Sequence, residues 1–148
     1  MQTYNIQFEG YWLEKNKAGI PAKSGVYMVY RSKYDVTSDK VTLLEIIYIG
    51  QSTDVKSRIA NHDRLPDFLK TLSQGETLSY AFAPVLSQDL DVVEKALIIA
   101  QKPRLNEQIQ TSIDFSISLQ IFYSTENQRG FKKRGDSPTT FPQQFQLL

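Results

Sequence analysis

Two apolar runs, separated by a short polar segment, constrain the fold of this chain more than any other feature. Residues 26–31 and 41–49 are rich in valine, isoleucine and tyrosine, the composition of β-strands. The segment between them, residues 32–40, is polar and is predicted to form a hairpin tip. A connection this short joins antiparallel strands, because parallel strands need a crossover of a dozen or more residues. The sequence therefore predicts a central antiparallel hairpin.

The other predicted elements follow hydrophobic periodicity and the positions of proline and glycine. They are a strand over residues 4–12, a turn region over 15–23, a helix capped by Ser52 or Thr53, a short helix starting at Pro66, a strand over 76–85, a helix over 88–102 ended by Pro103, and a strand over 116–123. This order predicts an α+β fold. We expect a small central antiparallel β-sheet flanked by helices, with extra N- and C-terminal strands.

The predicted elements divide the chain into three parts. Residues 1–23 form an N-terminal extension with one strand, and residues 24–107 form the main domain. Residues 108–148 contain a strand followed by a segment rich in Gly, Pro and Gln, which we expect to be a polar, basic arm and not a second domain. The length of 148 residues is enough for one domain with a hydrophobic core.

Composition excludes several classes of site and location. The chain has no cysteine, so disulfide scaffolds and thiolate metal sites are excluded. Its single histidine, His62, excludes a zinc site with several histidines. It has no apolar run long enough to span a membrane, and its first residues lack the pattern of a secretory signal. We therefore expect a cytoplasmic protein with no membrane partner.

The distribution of charge is more informative than the formal net charge of +1. Thirteen basic and fifteen acidic residues precede residue 129, so that part of the chain is net acidic. Four basic residues then cluster around Phe131: Arg129, Lys132, Lys133 and Arg134. This basic cluster could bind nucleic-acid phosphates while Phe131 stacks on a base, or it could be a solvated tail. The residues favour the two interpretations equally.

Glu94 is the candidate metal ligand. It lies in the largely apolar stretch 91–99, and helical spacing places it near the buried stripe. A buried carboxylate is costly unless a cation or hydrogen bonds satisfy it. A hard divalent cation held by one carboxylate could stabilise the charge that develops in phosphodiester hydrolysis. The alternative is an exposed glutamate paired with Lys95 or Lys102, which periodicity alone favours.

Four other residues are candidates for the same chemistry. Arg58 and His62 are four residues apart and are predicted to share a helix face, where they would present a cation and a titratable ring. Tyr27 and Tyr48 lie on the two predicted hairpin strands, so their hydroxyls could converge at one strand end. A phenol, with a reference pKa of about 10, needs nearby positive charge to act as a base. Taken singly, each of these residues is more simply a surface or core side chain.

Together these residues resemble the motifs of the GIY-YIG nuclease family. Gly25-Val26-Tyr27 resembles the first half of the family's name motif and Tyr48-Ile49-Gly50 the second. The other matching positions are Arg58, ten residues after Tyr48, then Glu94, and then Asn106 in the context Pro-Arg-Leu-Asn. The resemblance covers roughly residues 24–107. Its specificity comes from the agreement of several separated positions.

The resemblance implies a metal-dependent endonuclease that hydrolyses DNA phosphodiester bonds. Tyr27 would activate the attacking water, Tyr48 would assist or position it, and Arg58 would stabilise the phosphate. Glu94 would hold one Mg²⁺ or Mn²⁺ ion. Two further residues are implied in the site: Asn106 would orient it, and His62 would hydrogen-bond a tyrosine or the phosphate.

The chain departs from the family pattern at two places. Gln51 stands where several members have lysine, which makes deprotonation of Tyr27 harder to explain. The interval between Tyr27 and Tyr48 is also long, and the extra residues 32–40 are expected to form an extended hairpin that touches DNA. Gln51 and Lys56, with the basic cluster, are the candidate DNA-binding residues.

Two questions stay open at the level of the sequence. Specificity for DNA is expected to be weak or structure-based, or to come from a targeting partner, because no separate DNA-reading module is evident. The residues indicate no particular oligomeric state. The alternative function is a nucleic-acid-binding module on the same fold that cuts DNA poorly or not at all, and an interaction domain with a coincidental match is a third possibility.

Overall fold

The structure, a computed structural model, describes residues 2–106, 117–123, 133–135 and 143–146. The strands within them are β1 (Gln2–Gln7), β2 (Glu9–Leu13), β3 (Gly25–Asp35), β4 (Lys40–Ser52), β5 (Thr77–Pro84), β6 (Ile117–Tyr123), β7 (Lys133–Gly135) and β8 (Gln143–Gln146). The α-helices are α1 (Val55–Ala60), α2 (Leu65–Lys70) and α3 (Leu90–Gln101). Short 3-10 helices occupy Glu14–Gly19 and Ser87–Asp89.

The strands form two sheets. The main sheet has the order β2-β5-β3-β4-β8, and its neighbouring strands are antiparallel. The smaller sheet has the order β1-β6-β7, with β1 and β6 parallel. The predicted α+β class, with a central antiparallel sheet, flanking helices and extra terminal strands, is confirmed.

The predicted hairpin is present, but its strands are longer than expected. β3 and β4 pair from Gly25↔Ser52 to Asp35↔Lys40, so only residues 36–39 form the turn. The predicted tip was therefore too wide. Ser32 shows why: it is fully buried, pairs with Thr77 of β5, and donates its hydroxyl to the Thr77 carbonyl at 2.8 Å. Polarity alone did not reveal that this serine lies inside the sheet.

The terminal regions differ most from expectation. The single strand predicted over residues 4–12 is wrong: the chain breaks at Phe8, and β1 and β2 join different sheets. Tyr11 and Leu13 pack into one core while Trp12 packs into the other. Because β2 is buried on both faces, its sequence lacks the alternation of apolar and polar residues that marks a strand with one exposed face. Two short strands, β7 and β8, also lie where only an arm was predicted, and β8 pairs with the start of β4.

The helices cover both faces of the main sheet. α3 contributes Leu90, Val93 and Leu97 to a core on one face, with Val26 and Met28 of β3. On the other face, α1 and α2 pack Val55, Ile59 and Phe68 against the face of β3 that carries Tyr27 and Val29.

The helix ends have local causes. Asp54, and not the predicted Ser52 or Thr53, caps α1 by accepting the Ser57 backbone N–H at 3.1 Å. α3 ends where Lys102 adopts a left-handed conformation (φ 50°) just before Pro103. In the part of the chain that the structure describes, no helix has the length and apolar character to cross a membrane.

Candidate active site

Tyr27 and Tyr48 meet on one face of the hairpin, near the start of β3 and the end of β4. Tyr27 pairs with Gly50, and Tyr48 pairs with Val29, so the two tyrosines are diagonal neighbours across the strands. Their ring centroids are 6.3 Å apart. Tyr27 is 1% exposed, whereas Tyr48 is partly exposed. The predicted approach of the two phenols is therefore present in the structure.

The two motif glycines are required by close contacts. A Cβ atom on Gly50 would overlap the hydroxyl and ring of Tyr27, and one on Gly25 would overlap the Ala83 carbonyl oxygen and the Phe82 ring. The Tyr27 side chain thus lies directly over the backbone of β4. Both glycines therefore allow another group to approach the backbone closely.

His62 contacts both tyrosines. Its Nε2 lies 2.7 Å from the Tyr27 hydroxyl oxygen, and its ring packs against Tyr48 and Phe68 with centroids 5.6 and 4.8 Å away. Its Nδ1 accepts the backbone N–H of Arg64 at 3.1 Å. In a neutral ring the proton must then be on Nε2, so His62 donates to Tyr27. Of the two roles considered for His62, the structure shows the hydrogen bond to a tyrosine.

The environment keeps His62 neutral. Burial, reinforced by the nearby Arg58 guanidinium, lowers the pKa of His62 to about 4. The ring is therefore an uncharged donor to Tyr27 at neutral pH.

Arg58 reaches the same site from α1, but the predicted shared helix face is wrong. α1 ends at Ala60, so His62 lies in the following turn. Arg58 Nη1 forms an ion pair with Asp63 Oδ1 at 2.7 Å, and both side chains are accessible. The guanidinium also lies close enough to Tyr27 to lower the pKa of that phenol.

Burial opposes ionisation of both phenols. The pKa of Tyr27 is raised well above its usual value by burial and by Tyr48, with Arg58 acting in the opposite direction. The pKa of Tyr48 is raised by burial and then by Glu94, while Arg64 and Arg58 act to lower it. The described residues alone therefore favour neutral phenols at neutral pH.

Arg64 is a residue near the site that the sequence analysis missed. Its guanidinium carbon lies 5.3 Å from the centroid of the Tyr48 ring, a cation–π contact. Arg64 also donates from Nε to Asp67 at 2.9 Å and from Nη1 to the Leu105 carbonyl at 3.1 Å. No motif or periodicity in the sequence indicates an arginine that joins Tyr48 to the segment after α3.

Glu94 approaches the same end of the sheet from the α3 side. It is half-buried, and its carboxylate is near enough to raise the pKa of both Tyr27 and Tyr48. Gln51 Nε2 donates to Glu94 Oε1 at 3.2 Å and to Asp91 Oδ1 at 2.6 Å. Burial raises the pKa of Glu94. The hydrogen bond from Gln51 acts to lower this pKa, and the Asp91 charge makes a smaller contribution that raises it. The alternative interpretation of Glu94, pairing with Lys95 or Lys102, is not among the ion pairs of the described residues.

The donor groups fit a hard divalent cation held by a single protein carboxylate. Within the described residues, no three His, Cys, Asp or Glu side chains are grouped as for an all-protein metal site. A Mg²⁺ ion keeps most of its waters and can be held by one carboxylate, so Glu94 alone would meet that requirement. Oxygen donors also suit Mn²⁺.

Asn106 acts on the backbone of β4. Its Oδ1 accepts the Ile49 N–H at 2.9 Å and its Nδ2 donates to the Ile49 carbonyl at 2.8 Å. The neighbouring Leu105 N–H donates to the Ile47 carbonyl at 3.1 Å. This segment therefore substitutes for a paired strand along β4 beside Tyr48. Asn106 also closes a turn, since its N–H donates to the Pro103 carbonyl.

The predicted DNA-binding residues that the structure describes belong to three different elements. Lys56 is exposed on α1 near Arg58, whereas the side chain of Gln51 turns to the α3 carboxylates. Arg129 and Lys132 lie outside the described residues. Lys133 and Arg134 belong to β7, where they pair with Tyr123 and Phe122 of β6. Comparison with known proteins found no matching family model, curated protein or solved structure.

Proposed function

We propose that this chain is a metal-dependent endonuclease of the GIY-YIG type, which hydrolyses DNA phosphodiester bonds by attack of water on phosphorus. The proposal is carried by one observation: Tyr27, Tyr48, His62 and Arg58 surround one end of the β3–β4 hairpin, and Glu94 acts electrostatically on the same phenols. An interaction domain with a coincidental motif match does not require these groups to meet.

Tyr27 is the proposed base. Because His62 donates to its oxygen, the hydroxyl proton of Tyr27 is not needed for that hydrogen bond. When Tyr27 loses this proton, the phenolate keeps the His62 donor and the nearby Arg58 charge, both of which stabilise it. His62 and Arg58 therefore stabilise the ionised form, but burial outweighs them until further positive charge is present.

Arg58 is the proposed phosphate ligand. Its present partner, Asp63, has an accessible side chain, 70% exposed, so this ion pair contributes little and is easily exchanged. A guanidinium forms two parallel hydrogen bonds with phosphate oxygens and stays charged throughout the reaction. We infer that DNA phosphate replaces Asp63 as the partner of Arg58.

Glu94 is the proposed metal ligand. A divalent cation held there would supply the positive charge that the reaction needs and would lower the cost of ionising nearby groups. Tyr48, which contacts both the His62 ring and the Arg64 guanidinium, is proposed to position the water and not to accept its proton.

A nucleic-acid-binding module with little or no cleavage is the second candidate. It is favoured by the strong burial of Tyr27 and by its raised pKa. Both features slow a reaction that starts from a phenolate.

The experiment compares plasmid and branched DNA incubated with the protein in Mg²⁺, in Mn²⁺ and in chelator. We expect cleavage only with metal, and a loss of about 100-fold or more in Glu94→Gln and in Arg58→Ala. Asp89→Asn is the matched control because it changes a carboxylate at the start of the same helix that makes no capping hydrogen bond. Cleavage that survives in both site variants would contradict the proposal, and binding without cleavage by the unmodified protein would favour the second candidate.

A further inference from the structure

Gln51 connects the end of β4 to the carboxylates of α3. It follows Gly50, the residue beneath the Tyr27 hydroxyl, and its side chain reaches the α3 side of the sheet. The amide nitrogen carries two hydrogens and no lone pair that can accept. One hydrogen bond goes to Asp91 at 2.6 Å and the other to Glu94 at 3.2 Å, so both donors are used.

The two carboxylates need such a donor. Asp91 and Glu94 are three residues apart on α3, which places them on neighbouring positions of one helix face, where like charges repel. A lysine at position 51 would also bridge them, but its charge would cancel part of the negative charge on Glu94. The neutral amide holds Glu94 and leaves its charge available to a cation.

From this geometry we propose that Gln51 is a positioning residue, which holds Glu94 through Oε1 so that Oε2 is presented to a divalent cation, with Asp91 as the second anchor of the amide. The inference rests on the proposed function, since it assigns a role to Gln51 in the same metal site. It also gives position 51, where several members of the family have lysine, a role other than DNA binding, because Gln51 contacts the proposed metal ligand Glu94.

The main test measures Mn²⁺ binding directly, by titration of the free protein followed by electron paramagnetic resonance, and does not depend on DNA cleavage. Gln51→Met keeps the length of the side chain and removes the donors, and Gln74→Met is its control at an exposed loop position. We expect Gln51→Met to weaken Mn²⁺ binding about tenfold, as loss of a hydrogen bond to a metal ligand does. We also expect DNA cleavage to be restored to within about twofold at saturating Mn²⁺, because a positioning residue affects metal affinity more than the chemical step.

A second pair of variants keeps the test informative if Gln51→Met does not fold. Asp91→Ala and Asp89→Ala remove the same charge from the same helix region, but only Asp91 contacts Gln51. We expect weaker Mn²⁺ binding in Asp91→Ala than in Asp89→Ala at high salt, where general electrostatic effects are screened. Unchanged Mn²⁺ affinity in Gln51→Met or in Asp91→Ala, in a protein that binds Mn²⁺ and cuts DNA, overturns this inference alone. A wild-type protein that neither binds Mn²⁺ nor cuts DNA overturns the proposed function.

Discussion

His62 Nε2 lies 2.7 Å from the Tyr27 hydroxyl oxygen, and it is the donor of that hydrogen bond because Nδ1 accepts the Arg64 N–H. This arrangement requires a neutral His62. In a protonated ring Nδ1 carries a hydrogen and can no longer accept the Arg64 N–H, so the hydrogen bond between them is lost. His62 therefore couples the protonation state of one ring to the position of the proposed base.

Acid is expected to destabilise the protein through His62. Its pKa is about 4 in the folded protein and about 6.5 in the unfolded chain, so the unfolded state binds the proton more readily. The stabilisation is fully present above about pH 6.5 and is lost as the pH falls towards 4. Between about pH 7.5 and 4.5 this amounts to roughly 2–3 kcal/mol of unfolding free energy.

Urea unfolding at the two pH values, for the wild type and for His62→Gln, checks this expectation. Glutamine retains an N–H donor for Tyr27 and does not titrate, and the carboxylates common to both proteins cancel in the comparison. The wild type should lose more stability than the variant. Since His62 is the only histidine, its ring resonances also report the tautomer, and a proton found on Nδ1 at neutral pH would contradict the assigned direction of the hydrogen bond.

Gly50→Ala is expected to displace Tyr27. The new Cβ would overlap the Tyr27 hydroxyl and ring, which are held between Gly50 and His62. Overpacking of this kind costs about 1–3 kcal/mol, and we expect cleavage activity to fall by more than the loss of folded protein explains. Thermal unfolding and activity per folded molecule measure the two effects.

Gly19→Ala is the control for Gly50→Ala, because its Cβ would meet only the edge of the Trp12 ring, at 3.1 Å or more. Equal losses of activity in the two variants would show that the contact with Tyr27 has no special importance.

Asn106→Asp is expected to weaken the edge of β4. The carboxylate can still accept the Ile49 N–H, but it cannot donate to the Ile49 carbonyl, which is then left facing a negative charge. The unfolding free energy should fall by about 1–3 kcal/mol. Asn16→Asp, at an exposed position, should leave stability almost unchanged. Chemical unfolding of both variants makes the comparison, and equal stabilities would show that the Ile49 contacts are not important.

The sequence predicted the hairpin because both of its strands are dense in β-branched and aromatic residues with a short polar connection. It also predicted that Tyr27 and Tyr48 approach each other, since antiparallel pairing fixes which residues face each other across the strands. The boundary between β1 and β2 could not be predicted from the sequence. The break at Phe8 depends on which sheet each strand joins, and that is decided by tertiary packing and not by local alternation.

The partners of the site residues were the least predictable part. Arg64 and Gln51 contact residues about 40 positions away in the chain, Leu105, Asp91 and Glu94, and no spacing rule connects such positions. His62 was expected on a helix face, but α1 ends two residues earlier, at Ala60. The motif thus indicated which residues lie near one another, while the direction of each hydrogen bond depends on tertiary contacts that no sequence spacing encodes.

The pH dependence of cleavage is expected to follow the ionisation of Tyr27. Because its pKa is raised well above the neutral range, the phenolate is a minor species, and its population rises about tenfold for each pH unit. Log kcat/KM should therefore rise with pH through the neutral and mildly alkaline range, with no acidic optimum. Replacing Tyr27 by 3-fluorotyrosine, which keeps the ring in place and makes the phenol more acidic, should shift the profile to lower pH.

The same replacement at Tyr48, where the hydroxyl is proposed to position water, should leave the profile almost unchanged. This control also separates Tyr27 from a metal-bound water, since ionisation of that water would respond weakly and equally to fluorine on either ring. A profile unmoved by 3-fluorotyrosine at position 27, in an enzyme that Glu94→Gln inactivates, would mean that a group other than Tyr27 takes the proton. Because Gly50 and His62 enclose the Tyr27 hydroxyl, a fluorine must be accommodated on the ring edge away from Gly50, and the melting temperature of the fluorinated protein tests whether it is.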